Sequence, residues 1–328
     1  MLENTVNIVG TADDPKRWIY QKEDGTFVRV AHIKSNKPDT KPVRILNFAD
    51  VHLNCTNDKD LTDGEVMYSK ECRKWNADGA SVKALEKAMK YGEAFDRIVI
   101  SGDVLDYLSC GAMELMEKYV WEKDPNTIVA LGGHELTRQM QTGLPDMTTL
   151  ESRYETVEKF WKHDIYYYSE VLGEKVMLVQ LDNSMHRYWD HQVDKLKKDI
   201  DLARENGYVM LIFQHEPIST GKREDMAVTA LRESPGASSV RNFYNKAAVG
   251  HIGESDKATR DVYALLTENA DVIKAFFCGH MHSAFYTEVS CSYTDENGNK
   301  QKAEIPQYVM EGLIYDKYVG HVMEITVE

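Results

Sequence analysis

From Pro42 onward, six short apolar runs alternate with amphipathic stretches, and this alternation restricts the fold more than any other feature of the chain. The runs, 43–49, 97–101, 127–131, 176–181, 208–213 and 273–278, are rich in Val, Ile, Leu or Phe and have strand length. They read as strands buried on both faces. Between them, 81–91, 113–121, 150–161, 190–203 and 257–266 carry apolar residues at helical spacing. Strand–helix alternation of this kind predicts an α/β layered sheet. The C-terminal segments 284–290, 307–311 and 321–327 read as successive strands without long helices, which predicts a second sheet region built by antiparallel pairing. Residues 1–41 stand apart as an N-terminal extension, leaving 42–328 as the main domain. In the extension, alternating segments 18–21 and 27–31 flank Asp24-Gly25, the signal of an edge hairpin.

Charge and cysteine usage exclude several function classes. The chain has 39 basic and 53 acidic residues, a net charge of −14, so it repels polyphosphate backbones and general nucleic-acid binding is disfavoured. The five cysteines are few, odd in number and irregularly spaced, which favours a reducing compartment over a disulfide scaffold. No run of about 18 apolar residues exists to span a membrane. The N-terminal segment has neither the basic nor the apolar region of a signal peptide, so a cytoplasmic protein is expected.

The residues that follow the apolar runs carry the chemistry. Run 43–49 leads into Asp50-Val51-His52, and run 97–101 into Gly102-Asp103-Val104-Leu105-Asp106. Run 127–131 leads into Gly132-Gly133-His134-Glu135, 208–213 into Gln214-His215-Glu216, and 273–278 into Gly279-His280-Met281-His282. Ligands of open α/β sheets bind at the carboxyl ends of strands, so these clusters should converge. Imidazoles mixed with carboxylates suit Mn, Fe, Zn, Ni or Co better than the all-oxygen cages of Ca or Mg. Asp-x-His and His-x-His place alternate side chains on one side of an extended segment. Glycines before Asp103 and His280 permit a tight turn and a close backbone approach.

In this order the five clusters resemble the calcineurin-like metallophosphoesterase superfamily, whose pattern runs DxH, GDxxD, GNH(D/E), H, GHxH. The resemblance covers roughly 42–290 and implies a four-layer α/β/β/α sandwich of two mixed sheets flanked by helices. It also implies two divalent transition-metal ions and hydrolysis of a phosphate ester by a metal-bridged hydroxide. Asp50, His52 and His282 would hold the first ion, Asp103 would bridge, and His215 and His280 would hold the second. His134 would face the leaving-group oxygen, with Asp106 orienting its ring. One position departs from the pattern: Gly133 stands where the family has the Asn that ligates the second metal. The vacated ligand position is expected to weaken the second site unless water, Asn54 or Gln214 substitutes. An iron–tyrosinate centre of the purple type is disfavoured, because its pattern has Tyr where Asp106 stands and Tyr107 is one position late.

The resulting expectation is a phosphomonoesterase acting on a small-molecule phosphate ester or a phosphoprotein. The alternatives are a phosphodiesterase, for a cyclic nucleotide or small diester, and a degenerate non-catalytic scaffold, favoured by Gly133 alone. Other hydrolytic signatures fail: Arg138 occupies the second His position of an HExxH motif, and no P-loop or GxSxG elbow is present. Among the remaining histidines, His251 is the best candidate for the substrate rim, followed by His186 with Asp182. The long 54–80 connection is a candidate specificity loop.

Overall fold

The structure is a computed structural model of the 328-residue chain. It describes residues 5–8, 19–22, 27–37, 39–60, 79–136, 149–218, 256–282, 285–313 and 321–328. The strands are β1 (Thr5–Ile8), β2 (Ile19–Lys22), β3 (Phe27–Ile33), β4 (Val43–Phe48), β5 (Arg97–Ile100), β6 (Ile128–Val129) and β7 (Tyr167–Leu172). They continue with β8 (Val176–Leu181), β9 (Val209–Phe213), β10 (Ile273–Cys278), β11 (Phe285–Thr294), β12 (Lys300–Val309) and β13 (His321–Val327). The helices are α1 (Ala80–Gly92), α2 (Cys110–Met116, continued by a π turn over Glu117–Trp121), α3 (Leu150–Phe160), α4 (Asp190–Asn206) and α5 (Lys257–Thr267).

Two mixed sheets form, in the orders β1-β2-β3-β13-β4-β5-β6 and β11-β12-β10-β9-β8-β7. Strand alternation divides the apolar residues between three layers of core. Leu46 and Phe48 of β4, with Ile98 and Ile100 of β5, face Ala84, Leu85, Ala88 and Met89 of α1. On the far side, Met177 and Val179 of β8 with Met210 and Ile212 of β9 pack on Leu196 and Ile200 of α4 and on Val262 and Leu266 of α5. Between the sheets, Val43, Ile45 and Val99 meet Val176, Leu178, Leu211, Phe213 and Phe277. The result is a four-layer α/β/β/α sandwich, as expected.

Helix starts follow local capping. The Asp256 carboxylate accepts from Thr259 N at 2.8 Å at the start of α5, and Ser109 Oγ accepts from Ala112 N at 3.0 Å at the start of α2. The Ser109 cap begins α2 three residues before the predicted 113, and the predicted strand 127–131 pairs only over Ile128–Val129.

Long-range pairing differs from expectation. Segment 321–327 does not join the other C-terminal strands. As β13 it inserts into the first sheet, parallel to β3 and antiparallel to β4, while β11 and β12 extend the second sheet. In addition, β12 meets β10 in parallel, so pairing in this region is not purely antiparallel. The β2–β3 pair is antiparallel, with Gln21 opposite Phe27, and β3 lies between β2 and β13 with Val28 and Ile33 buried. The 27–33 segment is therefore an inner strand of the sandwich. Trp18 and Asp24-Gly25 lie outside the described residues.

Candidate metal centre

Parallel strands β4 and β5 are neighbours in one sheet, and β9 and β10 in the other, so their carboxyl ends meet across the sandwich. The junction is closed by backbone groups: Asp50 N donates to Gly102 O at 3.0 Å, His52 N to Asp103 O at 2.9 Å and Gly279 N to His215 O at 2.9 Å. His280 N donates across to the Asp50 carboxylate at 3.1 Å. The expected extended geometry at Asp-x-His and His-x-His is not what converges the side chains. Asp50, His52, Asp103, His280 and His282 all have left-handed backbone, with φ between 49° and 72°. For non-glycine residues this conformation is uncommon and gathers at functional sites. It turns each side chain inward within a single residue.

Four of the predicted ligands form one cluster: Asp50, His52, Asp103 and His282 present donor atoms within 4.8 Å of one another. His52 Nε2 and His282 Nε2 face each other at 2.9 Å, with Asp50 Oδ1 at 3.9 and 3.2 Å and Asp103 Oδ2 at 3.8 Å from His52. His52 Nδ1 lies 3.2 Å from Asp106 Oδ1, so it is Nε2 that faces the cluster. Burial lowers the His52 pKa to about 4 against the pull of Asp106, which keeps the ring neutral. Lone pairs and carboxylate oxygens roughly 3 Å apart are the spacing of neighbouring ligands around a cation with bonds of about 2.0–2.2 Å. The residues therefore fit an ion there.

A second group shares Asp103. His215 Nδ1 donates to Ser101 O at 2.9 Å, which turns Nε2 toward Asp103 Oδ2 at 3.1 Å and His280 Nδ1 at 3.3 Å. Burial lowers the His215 pKa, but the Asp103 and Asp50 carboxylates outweigh it and raise the value to about 10. Of the proposed substitutes for Gly133, the two side chains Asn54 and Gln214 are engaged elsewhere. Gln214 accepts from Tyr188 OH at 2.8 Å and donates to Glu216 O at 2.7 Å, while Asn54 donates to Asp106 Oδ2 at 2.7 Å. Tyr107 OH bonds Asn54 Oδ1 at 3.4 Å, consistent with its being out of position for a tyrosinate ligand.

Beside the first cluster, His134 Nδ1 donates to Asp106 O at 2.7 Å and lies 3.3 Å from Asp106 Oδ1, and its backbone N donates to Asp103 Oδ1 at 3.0 Å. Asp106 thus touches both His52 and His134. Burial lowers the His134 pKa, yet Asp103 and Asp106 together raise it to about 9. One organising residue was not singled out from the sequence: buried Glu135 accepts from Gly132 N at 2.7 Å, Leu105 N at 2.9 Å and Asp103 N at 3.2 Å. The acidic position of the GNH(D/E) pattern was its signal.

Two glycines let the strands approach this closely. At Gly102, with φ +87°, a Cβ would lie 2.5 Å from His215 Nδ1. At Gly279 it would lie 2.5 Å from Asp50 Oδ2 and 2.6 Å from Ala49 Cβ. Gly279→Ala is accordingly expected to push Asp50 aside. Overpacking of this kind costs about 1–3 kcal/mol, and Mn²⁺ affinity should fall at least tenfold, roughly the loss on disturbing a ligand's support. Thermal unfolding and Mn²⁺ titration of the variant check both effects.

Of the outlying candidates, Asp182 is buried and accepts from Tyr154 OH, Trp189 Nε1 and Ser184 Oγ at 2.7–2.8 Å, so it anchors its loop. His186 lies at the rim, with its ring centroid 6.3 Å from that of His280. His251 and residues 61–78 of the long connection lie outside the described residues.

The profile of the calcineurin-like phosphoesterase family matches residues 43–284. No curated protein matches. Among solved structures, the chain is similar to a purple acid phosphatase from yellow lupin (Lupinus luteus). The identity is 13% and the TM-score 0.48, over 90% of this chain and 49% of that one. It is also similar to a dimetal phosphatase from Danio rerio, with 15% identity and TM-score 0.45 over 85% of this chain and 90% of that one. A putative 5′-nucleotidase from Staphylococcus aureus gives 12% identity and TM-score 0.39, over 82% and 54%. The chain thus spans about half the length of the lupin protein. The profile match takes in well over half of the chain and every cluster described above, and on that basis the chain belongs to the calcineurin-like phosphoesterase family.

Proposed function

We propose that this chain hydrolyses phosphomonoesters, of a small molecule or a phosphoprotein, at a centre of two divalent transition-metal ions. The observation that supports it most is the convergence of Asp50, His52, Asp103 and His282 with His215 and His280, beside a histidine whose Nδ1 is fixed on Asp106. Asp50, His52 and His282 would hold the first ion, His215 and His280 the second, and Asp103 would serve both. Such a pair, when bound, lowers the pKa of water and clamps the attacking and leaving oxygens of an in-line displacement.

The chain's own groups handle orientation and the proton. Asp106 takes the His134 Nδ1 proton on its backbone oxygen, which leaves Nε2 of that ring for the substrate side, and its carboxylate lies 3.2 Å from His52 Nδ1, away from the His52 Nε2 that would ligate. A protonated His134 would give its Nε2 proton to the departing oxygen as the P–O bond breaks. Water supplies the new oxygen on phosphorus, and its proton leaves to solvent. The few, irregularly spaced cysteines of the sequence favour a reducing, cytoplasmic setting. Among the described residues, no helix is long and apolar enough to cross a membrane.

Turnover of p-nitrophenyl phosphate and of its bis-ester, measured with added Mn²⁺, tests the reading. It expects the monoester to be the better substrate. Comparable or faster turnover of the bis-ester would favour the phosphodiesterase alternative, and no turnover of either would sink both in favour of a scaffold.

A further inference from the structure

We propose that His186 fills the ligand position that Gly133 leaves open and completes the second cation site, with Glu216 fixing its ring. The inference rests on the two-cation reading above.

Space comes first. A Cβ built on Gly133 would meet nothing nearer than Ser184 O, at 3.5 Å. The room vacated by the Asn of the family pattern is therefore bordered by the loop that follows β8, and His186 lies two residues beyond Ser184. This loop is held firmly. Asp182 accepts from Ser184 N at 3.0 Å and from Ser184 Oγ at 2.7 Å. Asn183 exchanges hydrogen bonds with the Glu216 backbone at 2.8 and 3.0 Å, tying the loop to the strand end that carries His215.

Backbone conformation sets His186 with the ligands. Its φ is +57°, and among the described residues the other non-glycine positions in this region are Asp50, His52, Asp103, His280, His282 and Glu174. Five of those six are candidate ligands. Glu174 belongs instead to the turn between β7 and β8, remote from the strand ends that form the site.

The ring is oriented as a ligand ring would be. His186 Nδ1 lies 2.8 Å from Oε2 of Glu216, whose side chain is 2% exposed. A carboxylate oxygen accepts, so the proton is on Nδ1 and the lone pair on Nε2. Metal-bound histidines are held in this way by a carboxylate on the other ring nitrogen. Ring spacing agrees as well. The His215 and His280 ring centroids are 5.1 Å apart and those of His186 and His280 are 6.3 Å apart, so His280 has both rings beside it.

The test is calorimetric titration of the full chain with Mn²⁺, read alongside the electron paramagnetic resonance signal of coupled Mn²⁺ pairs. The wild type is expected to take two ions. His186→Ala should keep the first and weaken the second at least about tenfold, losing the coupled signal. Adding Gly133→Asn to His186→Ala should restore both, because a Cβ meets no close contact there and the Asn of the family pattern returns. Glu216→Gln should weaken the second ion in the same direction but less. Because His186→Ala also takes the partner from buried Glu216, His186→Gln, whose amide can still donate to that carboxylate, is the second variant: it should keep the wild-type thermal unfolding profile and still weaken the second ion. Two ions at unchanged affinity in His186→Ala would overturn the inference while leaving the two-cation reading intact. A wild type that takes fewer than two ions would overturn that reading and the inference with it.

Discussion

Asp103→Asn is expected to remove both ions and nearly all turnover while leaving the fold in place. Asp103 is the carboxylate shared by the two histidine groups, 3.8 Å from His52 Nε2 and 3.1 Å from His215 Nε2. Asn has the same shape and can still accept from His134 N, so the local backbone should hold. It removes the negative charge that lowers the Asp103 environment's tolerance for anything but a cation. Charge stabilisation by bound metals is worth several kcal/mol, and losing about 4 kcal/mol is a factor of about 10³ in rate. Measured kcat on p-nitrophenyl phosphate should fall by at least that factor, with bound Mn²⁺ falling in parallel. A variant that kept both ions and more than a tenth of the activity would contradict the bridging role.

His134→Ala should separate proton transfer from metal binding. Its ring contacts Asp106 O at 2.7 Å and belongs to a cluster with His52 and Asp106 that lies beside the four-residue group. Positioned acid catalysis contributes about 10² to 10⁴ in rate. We expect kcat to fall within that range and Mn²⁺ stoichiometry to stay as in the wild type. The loss should shrink for substrates whose leaving group is a strong acid and needs no proton, as with p-nitrophenol compared with an alkyl alcohol. An equal loss on both classes of leaving group, or loss of the ions themselves, would remove His134 from the role of acid.

Much of the fold was legible in the sequence because strand and helix periods are local. The stretch predicted at 257–266 is Lys257–Thr267, with Asp256 as its cap, and the run predicted at 176–181 is Val176–Leu181. Pairing partners were not legible. Nothing within His321–Val327 records that its edges will meet Phe27–Ile33 and Val43–Phe48, since those contacts are set by the closing of the whole sheet. The clustering of Asp50, His52, Asp103 and His282 could be read because each follows an apolar run whose carboxyl end had to face a common edge. Left-handed backbone at those residues could not, since it arises from tertiary contacts such as Asp50 N on Gly102 O. His186 was visible only as a histidine past a strand. Its pairing with Glu216, 30 positions away, appears only when β8 and β9 lie side by side.

The most direct test of the two-cation centre is an anomalous difference map, at the Mn absorption edge, from crystals of the wild-type chain grown with Mn²⁺. Two peaks are predicted. One should lie among Asp50, His52, Asp103 and His282, and the other among Asp103, His215 and His280 on the side of His186. A map with no peak at either place, in crystals where Mn²⁺ binds elsewhere, would contradict the account.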